Sequence, residues 1–185
     1  MTAEIVSSAD TKMDTAVDFA REELAAIRTG RAHPAMFHKL SAEYYGTPTP
    51  LQQLASFQVP EARTVLITPY DRSAMAAIER AIRDSDLGVN PSNDGTTIRV
   101  TLPVLTEERR KEYTKLAKHK AEEGRVAIRN TRRHANEAIH KLVKDKAVSE
   151  DDAARAEKQL DTVTKKHTDA VDELLKHKEA ELLEL

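Results

Sequence analysis

The residues best suited to chemistry in this sequence are cations that recur between positions 111 and 133. With the 100° turn per residue of an α-helix, they fall on one side of a single helix, which Asn136 and His140 continue. Arginine binds phosphate through two parallel hydrogen bonds and stacks on bases, so the pattern predicts a surface that binds a polyanion. The cations are Lys111, Lys118, Arg125, Arg129, Arg132 and Arg133.

A solvated charged face is the ordinary explanation for such a row, and the spacing of the arginines argues against it. Arg125, Arg129 and Arg133 follow one another at intervals of four residues, and like charges at that interval repel each other. Neither Arg129 nor Arg132 has an acidic residue three or four positions away. An external anion therefore explains the row better, although an acidic protein surface would satisfy it as well as a nucleic acid.

A second pair of cations, Arg28 and Arg31, flanks Gly30 at the predicted end of the first helix. Two explanations stay open for Arg28. It can sit in the last turn, where a cation suits the helix dipole and Gly30 adopts a left-handed cap, or it can contact the same anion as the row. Arg31 lies beyond the cap and is freer to contact a partner.

No arrangement of residues predicts catalysis. The sequence contains no cysteine, no pair of histidines at metalloprotease spacing and no glycine-rich phosphate-binding loop. His167 falls on an apolar row and is better explained as a core or interface residue than as a metal ligand. We therefore expect no enzymatic activity, no metal and no cofactor.

Three long helices are predicted to position the cations. Aromatic residues make up only 4% of the chain and charged residues 32%, a composition typical of helices. An apolar row at intervals of four and three runs to Ile27 in the first 29 residues, and two more rows follow residue 105. The first of these passes through Gly124 and ends at Leu142, and the second passes through His167 and ends at Leu174. Thr106 and Ser149 are predicted to cap the second and third helices. Each helix must bury its row, so we expect an antiparallel three-helix bundle.

The segment 31–104 must be built differently because it contains all seven prolines. Strands are predicted at 40–45, 64–68 and 97–102, with a helix at 72–85 capped by Asp71. The sequence thus predicts an α+β protein with a β/α/β module, domain II (31–104), inserted into a discontinuous bundle, domain I (1–30 and 105–185). Only two chain segments join them, so we expect an elongated, bent molecule with a hinge at Gly30, Arg31, Pro103, Val104 and Leu105.

Charge is distributed unevenly along the chain. The formal net charge is −2, yet segment 106–146 carries 13 bases and seven acids, and segment 147–185 carries six bases and 11 acids. This asymmetry favours a directed contact with a polyanion. No apolar run approaches the roughly 20 residues that cross a bilayer. The first ten residues have two acids and no base, unlike a signal or transit peptide. We expect a soluble, cytoplasmic protein that contacts no membrane.

Several separate motifs give the chain a family resemblance. Over essentially its whole length, it resembles bacterial ribosome recycling factor. The matching stretches are RTGRAHP at 28–34, YYG at 44–46, PEAR at 60–63, SDLGVNP at 85–91, DG at 94–95 with IR at 98–99, LTEERR at 105–110 and VAIRNTRR at 126–133. Two positions depart from the family pattern: His33 stands where asparagine is common, and Thr131 stands where a larger aliphatic residue is expected.

The resemblance implies an L-shaped, monomeric translation factor with a flexible hinge. Such a protein would bind the post-termination ribosome through large-subunit ribosomal RNA. With elongation factor G, it would split the subunits, while the GTP is bound and hydrolysed by that partner. Arg132 would be the critical RNA-binding residue. The further binding residues expected are Arg129, Arg133, Arg125, Lys118, Arg28 and Arg31.

Two other classes of protein remain as alternatives from the residues alone. A helical adaptor could bind an acidic protein, or another part of the ribosome, with the same basic face. A nuclease or other hydrolase would need a catalytic site, and the sequence offers none.

Overall fold

The computed structural model describes residues 1–184 and divides the chain into two compact units. The first unit comprises residues 1–24 and 115–179, and the second comprises residues 25–114 with the segment that follows Glu179. This division differs from the predicted domain boundaries at residues 30 and 105, which stay a prediction. Within the described residues, no helix is both long enough and apolar enough to span a bilayer.

The chain contains five α-helices and six strands in the described part. In order they are α1 (Thr2–Ala25), β1 (Ser41–Tyr44), β2 (Thr47–Pro50), α2 (Leu51–Leu54), β3 (Ala55–Glu61), β4 (Thr64–Pro69), α3 (Met75–Arg83), β5 (Pro91–Asn93), β6 (Ile98–Thr101), α4 (Glu107–Lys144) and α5 (Glu150–Leu183). Two short 3₁₀ helices, Pro34–Phe37 and Arg72–Ala74, precede β1 and α3. The mixed α+β class and the packing of three long helices are confirmed.

The first unit is built from α1, α4 and α5, whose apolar rows form one core. The three helices approach one another closely at Gly124, where an added Cβ would lie 3.2 Å from Ala20 and 3.6 Å from Val171. Helix α4 runs antiparallel to α5, since Arg125 reaches Asp172 while a later residue of α4, His140, reaches an earlier residue of α5. The predicted caps form: Thr106 and Ser149 each accept a backbone hydrogen bond at 3.1 Å.

Toward the carboxyl ends of α4 and α5, the residues that are buried differ from those in the predicted apolar rows. The predicted rows run through Leu142 and Leu174, which are half-buried, whereas Ile139 and Val171 are fully buried. A straight α-helix has 3.6 residues per turn, so a row repeating every 3.5 residues rotates off the contact face over successive turns. The heptad spacing therefore located the helices correctly. It was less accurate for the core residues near the carboxyl ends of α4 and α5.

The first helix ends earlier than predicted. Helix α1 stops at Ala25, and Gly30 does not adopt a left-handed conformation, so it is not the helix cap. Ile27, Arg28 and Thr29 are buried within the second unit, beyond the helix end. Packing of these residues replaces the last predicted turn, which sequence periodicity alone could not show.

The second unit contains two antiparallel sheets. Strands β3, β4, β6 and β5 form a four-stranded sheet in that spatial order, and β1 pairs with β2 in a separate hairpin. Helix α3 packs against this assembly, with Ile78 and Ile82 in a core shared with Phe37 and Ile98. The predicted strands at 40–45, 64–68 and 97–102 are confirmed as β1, β4 and β6.

The three strands that were not predicted from the sequence contain proline. Strand β2 holds Pro48 and Pro50, β3 holds Pro60 and β5 begins at Pro91. Proline is tolerated on edges, at first residues and beside irregularities. Pro60 lies where the register between β3 and β4 shifts, and β3 and β5 are the sheet edges. In the sequence these prolines indicated only that the segment is not a long helix, and the strands that contain them were not predicted.

Candidate nucleic-acid interface

Helix α4 displays its cations on the side away from its buried row. Ala121, Gly124 and Ile128 face the core of the first unit. Arg129, Arg132, Arg133 and Lys118 are exposed, whereas Arg125 keeps only 20% of its side chain accessible. The predicted basic face therefore exists as a continuous feature of one helix, and Arg125 lies at its margin. Lys111, the first cation of the row, lies in the second unit.

Three of the arginines form ion pairs, among them Arg129 and Arg132, which have no acidic residue three or four positions away in the sequence. Arg132 Nη2 lies 2.6 Å from Asp161 Oδ1 on α5. Arg129 Nη2 lies 2.5 Å from Glu122 Oε1, seven residues earlier on the same helix. A search three or four residues along α4 misses both partners, because one is too distant in sequence and the other comes from a neighbouring helix.

Arg125 is the most firmly held of the arginines. Its Nε lies 2.7 Å from Asp172 Oδ1 on α5, and its Nη1 lies 3.0 Å from Glu122 Oε2. Burial opposes the charge of Arg125, but the hydrogen bonds that Arg125 donates to Asp172 and Glu122 outweigh it and raise the pKa of Arg125. The hydrogen bonds from Arg129 and Arg125 hold the pKa of Glu122 below its ordinary value. Arg125 thus joins α4 to α5 and is poorly placed to reach an external anion.

Arg133 and Lys118 keep their charges unpaired. Both side chains are exposed, and neither forms an ion pair with any residue in the described part of the chain. Their ammonium and guanidinium groups are open to an anion from solution. The exposed face thus combines two unpaired cations with two, Arg129 and Arg132, whose carboxylate partners are themselves about half exposed.

Arg28 lies in the second unit and is buried, with 5% of its surface exposed. One of its Nη atoms donates a hydrogen bond to the Pro103 carbonyl, and it also interacts with Tyr113. Burial is the largest influence on this group and lowers the pKa of Arg28. Neither open explanation for Arg28 fits: it lies beyond the last turn of α1, and its guanidinium does not face solvent.

The predicted hinge residues lie in two segments that meet a common turn. Ala32 N donates to the Ala62 carbonyl and Leu102 N to the Arg63 carbonyl, both at 2.7 Å. In the segment between α1 and Ala32, Arg31 is exposed. In the segment between Leu102 and α4, Val104 is exposed and Leu105 is buried. Both segments are therefore fixed to the turn between β3 and β4, next to the residues predicted to bend.

A buried histidine with two acids is the only group of potential metal ligands among the described residues. His167 Nε2 lies 2.7 Å from Asp10 Oδ1, and its Nδ1 lies 3.4 Å from Asp14 Oδ1. Asp10 lies beside Nε2 and Asp14 beside Nδ1, so both ring nitrogens face a carboxylate. The group links α5 to α1, as expected for a core histidine, and the spacing of Asp10 and Asp14 was its signal in the sequence.

The comparisons with known proteins agree with this fold. A family model described as "Ribosome recycling factor" matches residues 20–183. This chain belongs to the ribosome recycling factor family. A ribosome-recycling factor of Cutibacterium acnes is 67% identical over 183 residues, covering 99% of this chain and 100% of that protein. One of Kocuria rhizophila is 65% identical, covering 99% of both chains.

Solved structures of ribosome recycling factors have the same fold. A "solution structure of the ribosome recycling factor" aligns with a TM-score of 0.79 at 40% identity, covering 100% of this chain and 98% of that one. A second aligns with a TM-score of 0.72 at 42% identity over the whole of both chains. It is described as "Models for the T. thermophilus ribosome recycling factor and the E. coli elongation factor G bound to the E. coli post-termination complex".

The two departures from the family pattern have simple local consequences. The ring nitrogen Nδ1 of His33 accepts a hydrogen bond from Ala35 N at 3.1 Å and caps the 3₁₀ helix, a task that asparagine also performs. Thr131 donates to the Ala127 carbonyl and lines a shallow groove between α4 and α1. Neither substitution disturbs the exposed cations of the ribosome recycling factor fold.

Proposed function

We propose that this chain recycles ribosomes. It binds the post-termination ribosome and, together with elongation factor G and GTP, splits the subunits. The observation that carries this proposal is the family match over residues 20–183, joined to an exposed basic face at the family's own motif on α4. Ribosome recycling factors are non-enzymatic translation factors, so GTP is bound and hydrolysed by the partner. The site of action is the cytoplasm, where the protein works as a monomer.

The exposed cations of α4 bind large-subunit ribosomal RNA in this proposal. Arg132 contributes most, with Arg129, Arg133 and Lys118 beside it. Their guanidinium and ammonium groups contact phosphates, which supply affinity without reading the base sequence. The ion pairs of Arg132 with Asp161 and of Arg129 with Glu122 are exposed. Exposed pairs contribute little net free energy, so exchanging a carboxylate for a phosphate costs little.

The other predicted binding residues take different parts. Arg125 supports the face by joining α4 to α5, and Arg28 supports the chain segments around Pro103. Arg31 is exposed and forms no ion pair with the described residues. It therefore remains available to contact RNA from the second unit.

Movement about the hinge transmits the action of elongation factor G. Domain II, residues 31–104, contacts the partner, and residues Gly30, Arg31, Pro103, Val104 and Leu105 bend. In this proposal the bending segments end at Ala32 and Leu102, whose hydrogen bonds to the β3–β4 turn support that choice. Domain I, residues 1–30 and 105–185, stays on the ribosomal RNA and is pushed against the contacts between the subunits.

The binding step is tested by sedimenting the chain with post-termination ribosomes at increasing salt. Each phosphate contact releases counterions, so affinity should fall linearly on a logarithmic salt scale. Added ribosomal RNA fragments should compete for the chain, whereas an acidic protein at equal charge should compete poorly. Salt-independent binding, or competition by the acidic protein alone, would favour the adaptor and contradict RNA binding.

A further inference from the structure

The turn between β1 and β2 holds an aromatic residue in a conformation that disfavours it. Tyr44 pairs with Thr47, which leaves Tyr45 and Gly46 as a two-residue turn. Both have positive φ, 50° at Tyr45 and 78° at Gly46, the pattern of a type I′ turn. That turn favours asparagine, aspartate or glycine at the first position, and a left-handed tyrosine is costly. The turn conformation therefore does not by itself explain a tyrosine at this position.

The Tyr45 side chain points into solvent although its ring is held in place. It is 83% exposed, the largest exposure among the large hydrophobic residues of the described chain. Its ring meets that of Tyr44 edge to face, with centroids 4.5 Å apart and planes at 74°. This geometry is favourable for aromatic pairs and restricts the rotation of Tyr45. A ring that already has this neighbour loses less conformational entropy on binding a partner than a free ring would.

Tyr44 is in turn fixed by a residue that caps a helix. The Tyr44 hydroxyl donates to Asp71 Oδ2 at 2.7 Å, and Asp71 Oδ1 accepts from Ser73 N at 2.9 Å. The hydrogen bond to Asp71 is the main reason that the pKa of Tyr44 rises to about 12. The chain of contacts therefore runs from the 3₁₀ helix at Arg72–Ala74, through Asp71 and Tyr44, to the displayed ring of Tyr45.

The charges around this ring favour a protein over an RNA partner. The hairpin segment 41–50 contains no lysine or arginine, and its one charged residue is Glu43. Asp71 adds a second carboxylate, whose pKa is held low by the hydrogen bonds from Tyr44 and Ser73. Phosphate would be repelled by these carboxylates and would find no cation in the hairpin. Tyrosine is enriched among the residues that dominate protein–protein affinity, where it fills an apolar slot.

We propose that Tyr45 is a contact residue for elongation factor G, its ring entering an apolar slot on that protein. This inference rests on the proposed function and adds to it the residue and the chemistry of the protein contact. The basic face of α4 and the neutral tip of the hairpin then serve different partners: phosphate on one, an apolar protein surface on the other.

The test uses Tyr45→Asn and Tyr45→Phe in the full chain. Asparagine suits the turn better than tyrosine, so Tyr45→Asn should unfold at the same temperature or higher and cannot fail by misfolding. At limiting elongation factor G with GTP, its subunit splitting should fall about tenfold or more, as for a central interface tyrosine. Excess elongation factor G should restore it. Tyr45→Phe keeps the ring and should split within about twofold of the wild type.

Binding to ribosomes without elongation factor G separates the outcomes. Tyr45→Asn should bind there as the wild type does. Weaker binding in that assay would place Tyr45 against ribosomal RNA or a ribosomal protein and overturn the proposal, as would undiminished splitting at limiting elongation factor G. If the wild-type chain fails to split ribosomes at all, the proposed function fails first and the tyrosine contact with it.

Discussion

The Nη2 atom of Arg132 lies 2.6 Å from Oδ1 of Asp161 on the neighbouring helix. The arginine proposed as most important for binding phosphate is therefore paired with a carboxylate in the free chain. Both side chains are about half exposed, so the pair can separate without unburying either group. In the proposed binding mode, a phosphate of the RNA takes the place of Asp161 beside Arg132, so that one anion is exchanged for another.

Asp161→Asn should tighten ribosome binding, because the amide is neutral and no longer competes with phosphate for Arg132. An exposed ion pair of this kind is worth up to about 1 kcal/mol, so a gain of roughly two- to fivefold is expected in sedimentation. Asp18→Asn is the matched control, since Asp18 pairs with Arg21 at the same 2.6 Å on α1. Weaker binding by Asp161→Asn would instead show that Asp161 orients Arg132.

Arg132→Ala should weaken ribosome binding by about tenfold or more without loss of fold. An exposed arginine contributes little to stability, and the free energy of unfolding should change by less than about 0.5 kcal/mol. Urea unfolding and sedimentation measure the two quantities on the same preparation. Arg21→Ala breaks an equivalent pair on α1 and should leave binding unchanged. A misfolded Arg132→Ala protein would contradict its assignment to the surface.

Arg28→Ala should have the opposite signature. The Pro103 carbonyl would lose its hydrogen bond from a buried guanidinium, which costs about 1–3 kcal/mol of unfolding free energy. Ribosome binding, measured where the variant is fully folded, should stay close to that of the wild type. A stable Arg28→Ala variant that binds ribosomes weakly would contradict this structural role and indicate that Arg28 contacts RNA.

Tyr44 should ionise at a higher pH than an ordinary tyrosine in an alkaline titration. Its pKa rises to about 12 from an ordinary value of 10, mainly because its hydroxyl donates to Asp71. The folded state thus favours the protonated phenol, and this stabilisation is complete below pH 10 and is lost as the pH rises toward 12. Ultraviolet difference spectra should show one late transition that Tyr44→Phe removes. A late transition that persists in Tyr44→Phe would contradict this assignment.

The helices were predictable because their apolar rows are long and uninterrupted. Thr106 and Ser149 marked two helix starts correctly, and Gly124 fell on the buried row as expected. The end of α1 was not predictable, since Ile27 and Arg28 are drawn into the packing of the second unit. Periodicity carries no information about such contacts between residues distant in sequence.

The position of the basic face could be predicted from the sequence, but the ion pairs of its arginines could not. Helical geometry placed Arg129, Arg132 and Arg133 on one exposed side, as the structure has them. The partners of Arg132 and Arg125 on α5 depend on how two helices align across 29 and 47 residues of chain. The exposure of the Tyr45 ring could not be predicted either, because its turn conformation and its contact with Tyr44 exist only in the folded hairpin.

Subunit splitting followed by light scattering tests the central claim most directly. Post-termination ribosomes are mixed with the chain, elongation factor G and GTP, and the Arg132→Ala protein is run in parallel after circular dichroism verifies its fold. Scattering should fall only when the wild-type chain, elongation factor G and GTP are all present, and Arg132→Ala should slow the fall at limiting concentration. A wild-type chain that binds ribosomes yet never splits them, with a matched elongation factor G, would contradict recycling as its function.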